Sequence, residues 1–136
     1  MAWVVDTCVL LDIGLDDPTF ASRSESLLNA KLSEGLLVCP MTFVELAPAF
    51  FGNIEALEEF LLQLGVDHQE GWTTTDTTNS CQAWTRHVQK RRKNQAARRP
   101  IADVLIGAFA LRHQGLLTRN ADDFRKLFPA LHLITP

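Results

Sequence analysis

Apolar residues follow two rhythms along this chain. Short unbroken runs occur at Trp3-Val4-Val5, Leu36-Leu37-Val38-Cys39 and Leu116-Leu117, and a last run, Leu131-His132-Leu133-Ile134, is interrupted only by His132. Elsewhere apolar positions recur every three or four residues. The runs read as short strands, and the inner ones as strands buried on both faces, as in the middle of a parallel sheet. The spaced segments read as helices.

In order, Thr7 to Asp12 forms a short apolar turn or helix. Asp17 serves as N-cap and Pro18 as first residue of a helix carrying Phe20, Ser24, Leu27, Leu28 and Leu32, which Gly35 stops. Strand, helix and second strand make a βαβ unit with a right-handed crossover. Pro40 to Ala47 opens the next helix, with a kink or break expected at Pro48. Asn53 caps a helix with an apolar face of Ile54, Leu57, Phe60, Leu61 and Leu64, and Gly65 ends it. Val66 to Glu70 is compatible with a short edge strand, and Gly71 to Asn79 reads as a Thr-rich polar loop. Cys81, Trp84 and Val88 mark the apolar side of a long helix that frays or bends near residues 94–97. Ile101 to Leu111 is apolar nearly all round, so that helix is expected to be buried, with Gly115 as its C-cap. After the strand at Leu116 to Thr118, Asn120 caps a short helix through Leu127. This order predicts one domain over residues 1–136, an α/β sandwich around a parallel sheet.

Composition narrows the class. The 136 residues are 46% hydrophobic and 21% charged, ordinary for a folded globular chain. Asp6 and Asp12 interrupt the N-terminal apolar run, so no signal peptide or membrane span is expected. Cys8, Cys39 and Cys81 are odd in number and form no CxxC pair; free thiols in a reducing cytoplasm are the expectation, not a disulfide framework or zinc knuckle. The net charge of −3 hides an asymmetry. No acid lies between Asp76 and Asp103, whereas Arg86, Lys90, Arg91, Arg92, Lys93, Arg98 and Arg99 do. Such a segment is either a solvated helix face, an RNA-backbone contact, or a surface for an acidic protein partner.

The acids suggest the chemistry. Asp6 ends the first strand, Glu45 is expected in the first turn of the helix after the second, Asp103 in the first turn of the buried helix, and Asp122 and Asp123 just after the third inner strand. In a parallel sheet these places share the carboxyl edge, where ligands bind. Each acid alone has a plainer explanation. Thr42-x-x-Glu45 has capping-box spacing, Asn120-x-x-Asp123 has a similar pattern, and Asp103 suits a helix dipole. Asp6 has no evident capping role. Gathered together, the carboxylates would repel one another, and a divalent cation would relieve the repulsion. An all-oxygen set favours Mg²⁺ or Mn²⁺ over zinc. His68, His87, His113 and His132 show no ligand spacing.

Val4-Val5-Asp6-Thr7, Thr42-Phe43-Val44-Glu45-Leu46, Ile101 to Ala108 and Leu117-Thr118-Arg119-Asn120-Ala121-Asp122-Asp123-Phe124, in this order, resemble the PIN-domain pattern, most closely that of small bacterial ribonuclease toxins of VapC type. The resemblance implies a PIN-like three-layer α/β/α sandwich around a mainly parallel sheet of four or five strands. It implies an Mg²⁺- or Mn²⁺-dependent endoribonuclease. Asp6, Glu45, Asp103 and Asp123 become the catalytic and metal-binding acids, with Asp122 a further candidate, and Thr7, Thr118 and Asn120 the supporting residues. It also implies a cognate antitoxin that covers the acidic edge, and a homodimer; no membrane partner is expected. Arg119 is expected at the scissile phosphate, and Arg91, Arg92, Arg98 and Arg99 along the RNA. Two rivals remain. A phosphatase or receiver-like domain with Asp6 as phosphorylated nucleophile would want an acid two residues on, where Cys8 stands, and the chain has no Gly-rich phosphate loop. A non-catalytic PIN-like module would bind RNA or a partner without cutting.

Overall fold

The structure, a computed structural model, describes residues 1–94 and 100–136; for 91–94 it describes the backbone alone. The chain runs β1 (Trp3–Val5), α1 (Thr7–Gly14), α2 (Ala21–Lys31), β2 (Leu36–Leu37), α3 (Pro40–Leu46), α4 (Ile54–Leu64), β3 (Val66–Asp67), α5 (Thr74–Asn94), α6 (Ile101–Leu111), β4 (Gly115–Leu117), α7 (Ala121–Leu127) and β5 (Leu133–Ile134). The five strands form one parallel sheet in the order β3-β2-β1-β4-β5. Val4 pairs with Leu37 on one side and Leu116 on the other, so β1 is central.

Alternation inside the apolar runs sorts the core into two layers. Val4, Leu37 and Leu116 pack with Val104 and Phe109 of α6 and Phe124 of α7. Trp3, Val5, Leu36 and Leu117 pack with Leu10 of α1, Leu28 of α2 and Leu57 of α4. The result is the expected α/β/α sandwich. α3 stands at the edge between the layers: Leu46 enters the second, while Met41 leans on the first.

Most boundaries follow the sequence pattern. Asn53 caps α4 through a 3.1 Å bond from the Ala56 N–H, Gly65 ends it at φ 72°, and Val66–Asp67 is an edge strand. The break expected at Pro48 is present: α3 stops at Leu46 and a 3-10 turn covers Ala47–Phe50. Several expectations are corrected. Asp17 accepts from the Thr19 and Phe20 amides, but Pro18 to Phe20 form a turn and α2 proper begins at Ala21. The polar loop is shorter than expected, because Thr73 and Asp76 form a reciprocal capping box that starts α5 at Thr74. Gly115 is the first residue of β4 and no C-cap. A β-carbon there would lie 2.4 Å from the His132 carbonyl and 2.7 Å from the Trp3 ring. The bend expected near residues 94–97 lies largely outside the described residues.

Candidate active site

The chain steps from β1 outward to β2 and β3, then returns to the other side of β1 for β4 and β5. The order therefore reverses between β1 and β4. In open α/β sheets the carboxyl end of such a switch point is a ligand crevice. Asp6 leaves β1 and Thr118 leaves β4 at this point, and the Thr118 hydroxyl donates to Asp6 Oδ2 at 2.7 Å.

Asp6 is only 4% exposed. Its Oδ1 accepts from the Thr7 amide at 2.8 Å, and its Oδ2 also accepts from the Cys8 thiol at 3.3 Å. It is thus the N-cap of α1, contrary to the sequence expectation of no capping role. Burial pushes the Asp6 carboxyl above its ordinary range; the three hydrogen bonds oppose this and the Glu45 charge adds to it. Burial and the Asp6 charge push the Cys8 thiol up to about 12, so Cys8 keeps the proton it donates.

Glu45 reaches the same place through Thr7. The Thr7 hydroxyl donates to Glu45 Oε1 at 2.6 Å and lies 3.1 Å from the hydroxyl of Thr42, which is wholly buried. The one Thr7 hydroxyl proton thus faces two acceptors, with the shorter and stronger contact to Glu45 and the longer one to the Thr42 oxygen. Two sequence expectations change here. Pro40 occupies the first position of α3, so Glu45 lies in its second turn, exposed to solvent. Thr42 lies inside the helix, so Thr42 and Glu45 form no capping box.

Asp103 is half-buried in the first turn of α6, as expected, and α6 packs against α3. Asp122 and Asp123 are exposed in the first turn of α7; Asp122 pairs with Arg125 at 2.7 Å. Asn120 precedes α7 but makes no side-chain cap bond. Thr118 does the local bonding instead, accepting from the Asn120 amide at 3.0 Å while donating to Asp6. The structure therefore brings Asp6, Thr7, Cys8, Thr42, Glu45 and Thr118 together. Asp103, Asp122 and Asp123 stand at the starts of neighbouring helices. Among the described residues, no three Asp, Glu, His or Cys side chains are gathered closely enough to enclose a metal ion.

Arg119 is not a free phosphate contact. Its Nε lies 2.7 Å from Asp12 Oδ2 and its Nη2 donates to Asp12 Oδ1 at 3.0 Å. Its guanidinium also covers the Phe20 ring at 4.3 Å. Asp12 is 4% exposed, and this paired role was missed in the sequence. An acid buried among apolar neighbours demands a partner, which was the available signal. Arg98 and Arg99 lie outside the described residues, as do the side chains of Arg91 and Arg92. Arg86 turns toward α7 and donates to the Leu127 carbonyl at 3.3 Å.

The family model for the PIN domain matches residues 3–127, from β1 through the end of α7. No curated protein matches the chain.

Proposed function

Because the chain belongs to the PIN domain family, whose members are generally nucleases, we propose that it is a metal-dependent endoribonuclease and the toxin of a VapC-type toxin–antitoxin pair. The observation that carries this reading is the buried Asp6 carboxylate at the β1/β4 switch point, held by neutral donors and sharing the Thr7 side with Glu45.

The donor set suits Mg²⁺ or Mn²⁺. A carboxylate offers about four lone-pair sites, and the Thr7 amide, Cys8 and Thr118 take three at Asp6. The remaining site is on Oδ1. A cation there would offset both the burial of Asp6 and its repulsion with Glu45, the two causes that raise its carboxyl. Asp6 and Glu45 would hold it, with Asp103 and Asp123 as further oxygen donors from the adjoining helix starts and Asp122 as the alternative to Asp123. When bound, the ion supplies a water of lowered pKa and neutralises charge building on the phosphate. The chain's own residues do the positioning. Thr118 and the Thr7 amide fix the two oxygens of Asp6. Thr42 and the Thr7 hydroxyl aim Glu45. An antitoxin that covers this edge, a second copy of the chain and a cytoplasmic location complete the reading. No described helix is long and apolar enough to cross a membrane.

A second reading is favoured by one observation: the described acids do not form a ready metal cage. On that reading the protein binds RNA or a partner without cutting. Expression followed by mapping of RNA ends, with and without Asp6→Ala, separates the two. The nuclease reading expects new ends that vanish with Asp6→Ala and in excess EDTA. Glu45→Gln sharpens the test. Glu45 is exposed, and Gln retains an oxygen acceptor for Thr7, so the fold should persist while cutting falls by about a hundredfold or more. Unchanged cutting would remove Glu45 from the chemistry.

A further inference from the structure

The helices that carry Glu45 and Asp103 also wall a groove of about 520 Å³. α3 contributes Met41 and Val44, α6 contributes Ile101 and Leu105, and Trp72 and Trp84 line its other side. On α3 these residues interleave with Thr42 and Glu45, and on α6 they bracket Asp103. The groove is therefore the flank of the carboxylate edge. Its surface is apolar and open, with Val44 65% and Ile101 46% exposed. Three lining residues carry a hydroxyl or thiol: Thr77, whose hydroxyl accepts from Trp72 Nε1 at 2.7 Å, Cys81 and Ser80. Ser80, a lining residue, is 7% exposed, and its enclosed hydroxyl has no hydrogen-bond partner among the described residues. A buried hydroxyl left without a partner is destabilising, so a ligand that meets it is favoured.

We propose that this groove is a nucleobase subsite, taking one base of a single-stranded RNA beside the phosphate that is cut. The proposal rests on the ribonuclease reading and names how that substrate is held. A base combines a flat π face with a polar edge, which matches two indole rings and one unmet hydroxyl. An aliphatic side chain from a protein partner would fill the space and leave Ser80 unmet. The volume lies in the usual range for small-ligand sites, about 300–1,000 Å³. Single-stranded RNA is commonly bound by splaying bases onto aromatic side chains. Charge agrees as well: α5, which supplies Ser80 and Trp84, runs on to the exposed Lys90 and then to the basic positions 91–93. Phosphates on either side of a seated base would meet that positive end.

The test uses the full chain carrying Asp6→Asn, so that RNA is bound and not cut. Its tryptophan fluorescence is titrated with a short single-stranded oligoadenylate and with an abasic ribose-phosphate chain of the same length. Trp3 is 1% exposed, so a response reports Trp72 and Trp84. The oligoadenylate is expected to bind about tenfold more tightly than the abasic chain, and Trp84→Leu to close most of that gap. Cys81, an exposed thiol lining the groove, gives a readout that needs no substitution there. Oligoadenylate should slow its alkylation by N-ethylmaleimide, followed by peptide mapping, and the abasic chain should not. Equal affinities with an unprotected Cys81, in a wild-type protein that still cuts RNA through Asp6, would overturn the subsite and leave the ribonuclease reading standing. Protection of Cys81 that grows with protein concentration alone would also overturn it, assigning the groove to a second copy. If the wild-type chain cuts no RNA and the Asp6→Asn chain binds none, the ribonuclease reading fails and the subsite with it.

Discussion

Two buried aspartates sit at helix starts in this molecule, and their surroundings differ in one respect. Asp76 is 0% exposed, caps α5 through the Thr73 amide and receives two bonds from Arg112, at 3.0 and 2.9 Å. Arg112 also holds Glu70 and the Gly71 carbonyl and lies over Phe109. Asp6 is 4% exposed, caps α1, and is held by an amide, a hydroxyl and a thiol, all neutral. At Asp76 burial alone would raise the carboxyl, but Arg112 and Thr73 outweigh it and hold it below the ordinary value of 3.8. At Asp6 burial prevails and the carboxyl is raised. The protein answers one buried charge from within, as a brace between α5 and α6. The charge of the other is oriented by neutral donors, which suits a ligand that supplies the cation. Asp12 with Arg119 belongs to the first kind, although it lies on α1, the helix that Asp6 caps.

The largest effect should fall on activity at Asp6 and on stability at Asp76. Asp6→Asn keeps an acceptor for the Thr7 amide and removes an uncompensated buried charge. Cutting should drop by about a thousandfold or more. The new amide nitrogen faces the Thr118 and Cys8 donors, which offsets the relief of charge, so the stability of the metal-free protein should stay within about 1 kcal/mol of wild type. Urea midpoints and single-turnover cleavage read both. A loss of activity caused by unfolding would instead show a lowered midpoint.

Asp76→Asn should do the opposite. It keeps a cap acceptor but strands part of Arg112, so stability should fall by about 2–3 kcal/mol while cutting per folded molecule stays the same. The sign with pH follows from the depressed carboxyl. Its stabilisation is complete above the unfolded value of 3.8 and is lost as pH falls through the lower folded value. The advantage of wild type over Asp76→Asn should therefore be level from about pH 5 to 8, begin to shrink near pH 4, and be gone only below the lowered folded value. An advantage that grew toward low pH would reverse the assignment of Asp76.

The sequence reads well where short-range rules decide. The apolar runs at Trp3 and Leu36, the cap at Asn53 and the stop at Gly65 all depend on neighbours a few residues away. It reads poorly where distant parts meet. Gly115 looked like a C-cap because nothing nearby reveals the Trp3 ring and His132 carbonyl that exclude a β-carbon. Arg119 looked available for phosphate because its partner, Asp12, is 107 residues away. The Thr42–Glu45 spacing imitated a capping box, yet Pro40 fixes the helix start and turns both residues toward Thr7. The capping box at Thr73 and Asp76 was hidden among several threonines that could each have served. At the site, Asp6 was found because it follows a buried run directly. Cys8 and Thr42 were missed because a thiol and a hydroxyl carry no positional signature of their own.

Arg119→Ala probes the intermediate case. It leaves Asp12 buried without its ion-pair partner, and stability should fall by about 2 kcal/mol. If Arg119 braces the Thr118–Asn120 turn, kcat should fall and KM for RNA should hold. A raised KM with a shallower salt dependence would instead return Arg119 to the phosphate role expected from the sequence.

The smallest effect separates orientation from charge at the site itself. Thr42 is wholly buried and touches the Thr7 hydroxyl at 3.1 Å, while Thr7 bonds Glu45 at 2.6 Å. Thr42→Val preserves shape and removes one hydroxyl, at a net cost of about 1 kcal/mol. No charge changes, so RNA binding should be unaffected. Without the Thr42 oxygen as its second contact, the Thr7 hydroxyl is a less fixed partner for Glu45, and kcat should drop about fivefold. Thr42→Ser restores that oxygen and should recover most of the rate. Equal rates for the Val and Ser variants would mean that Thr42 only fills space, and that Thr7 alone orients the second acid.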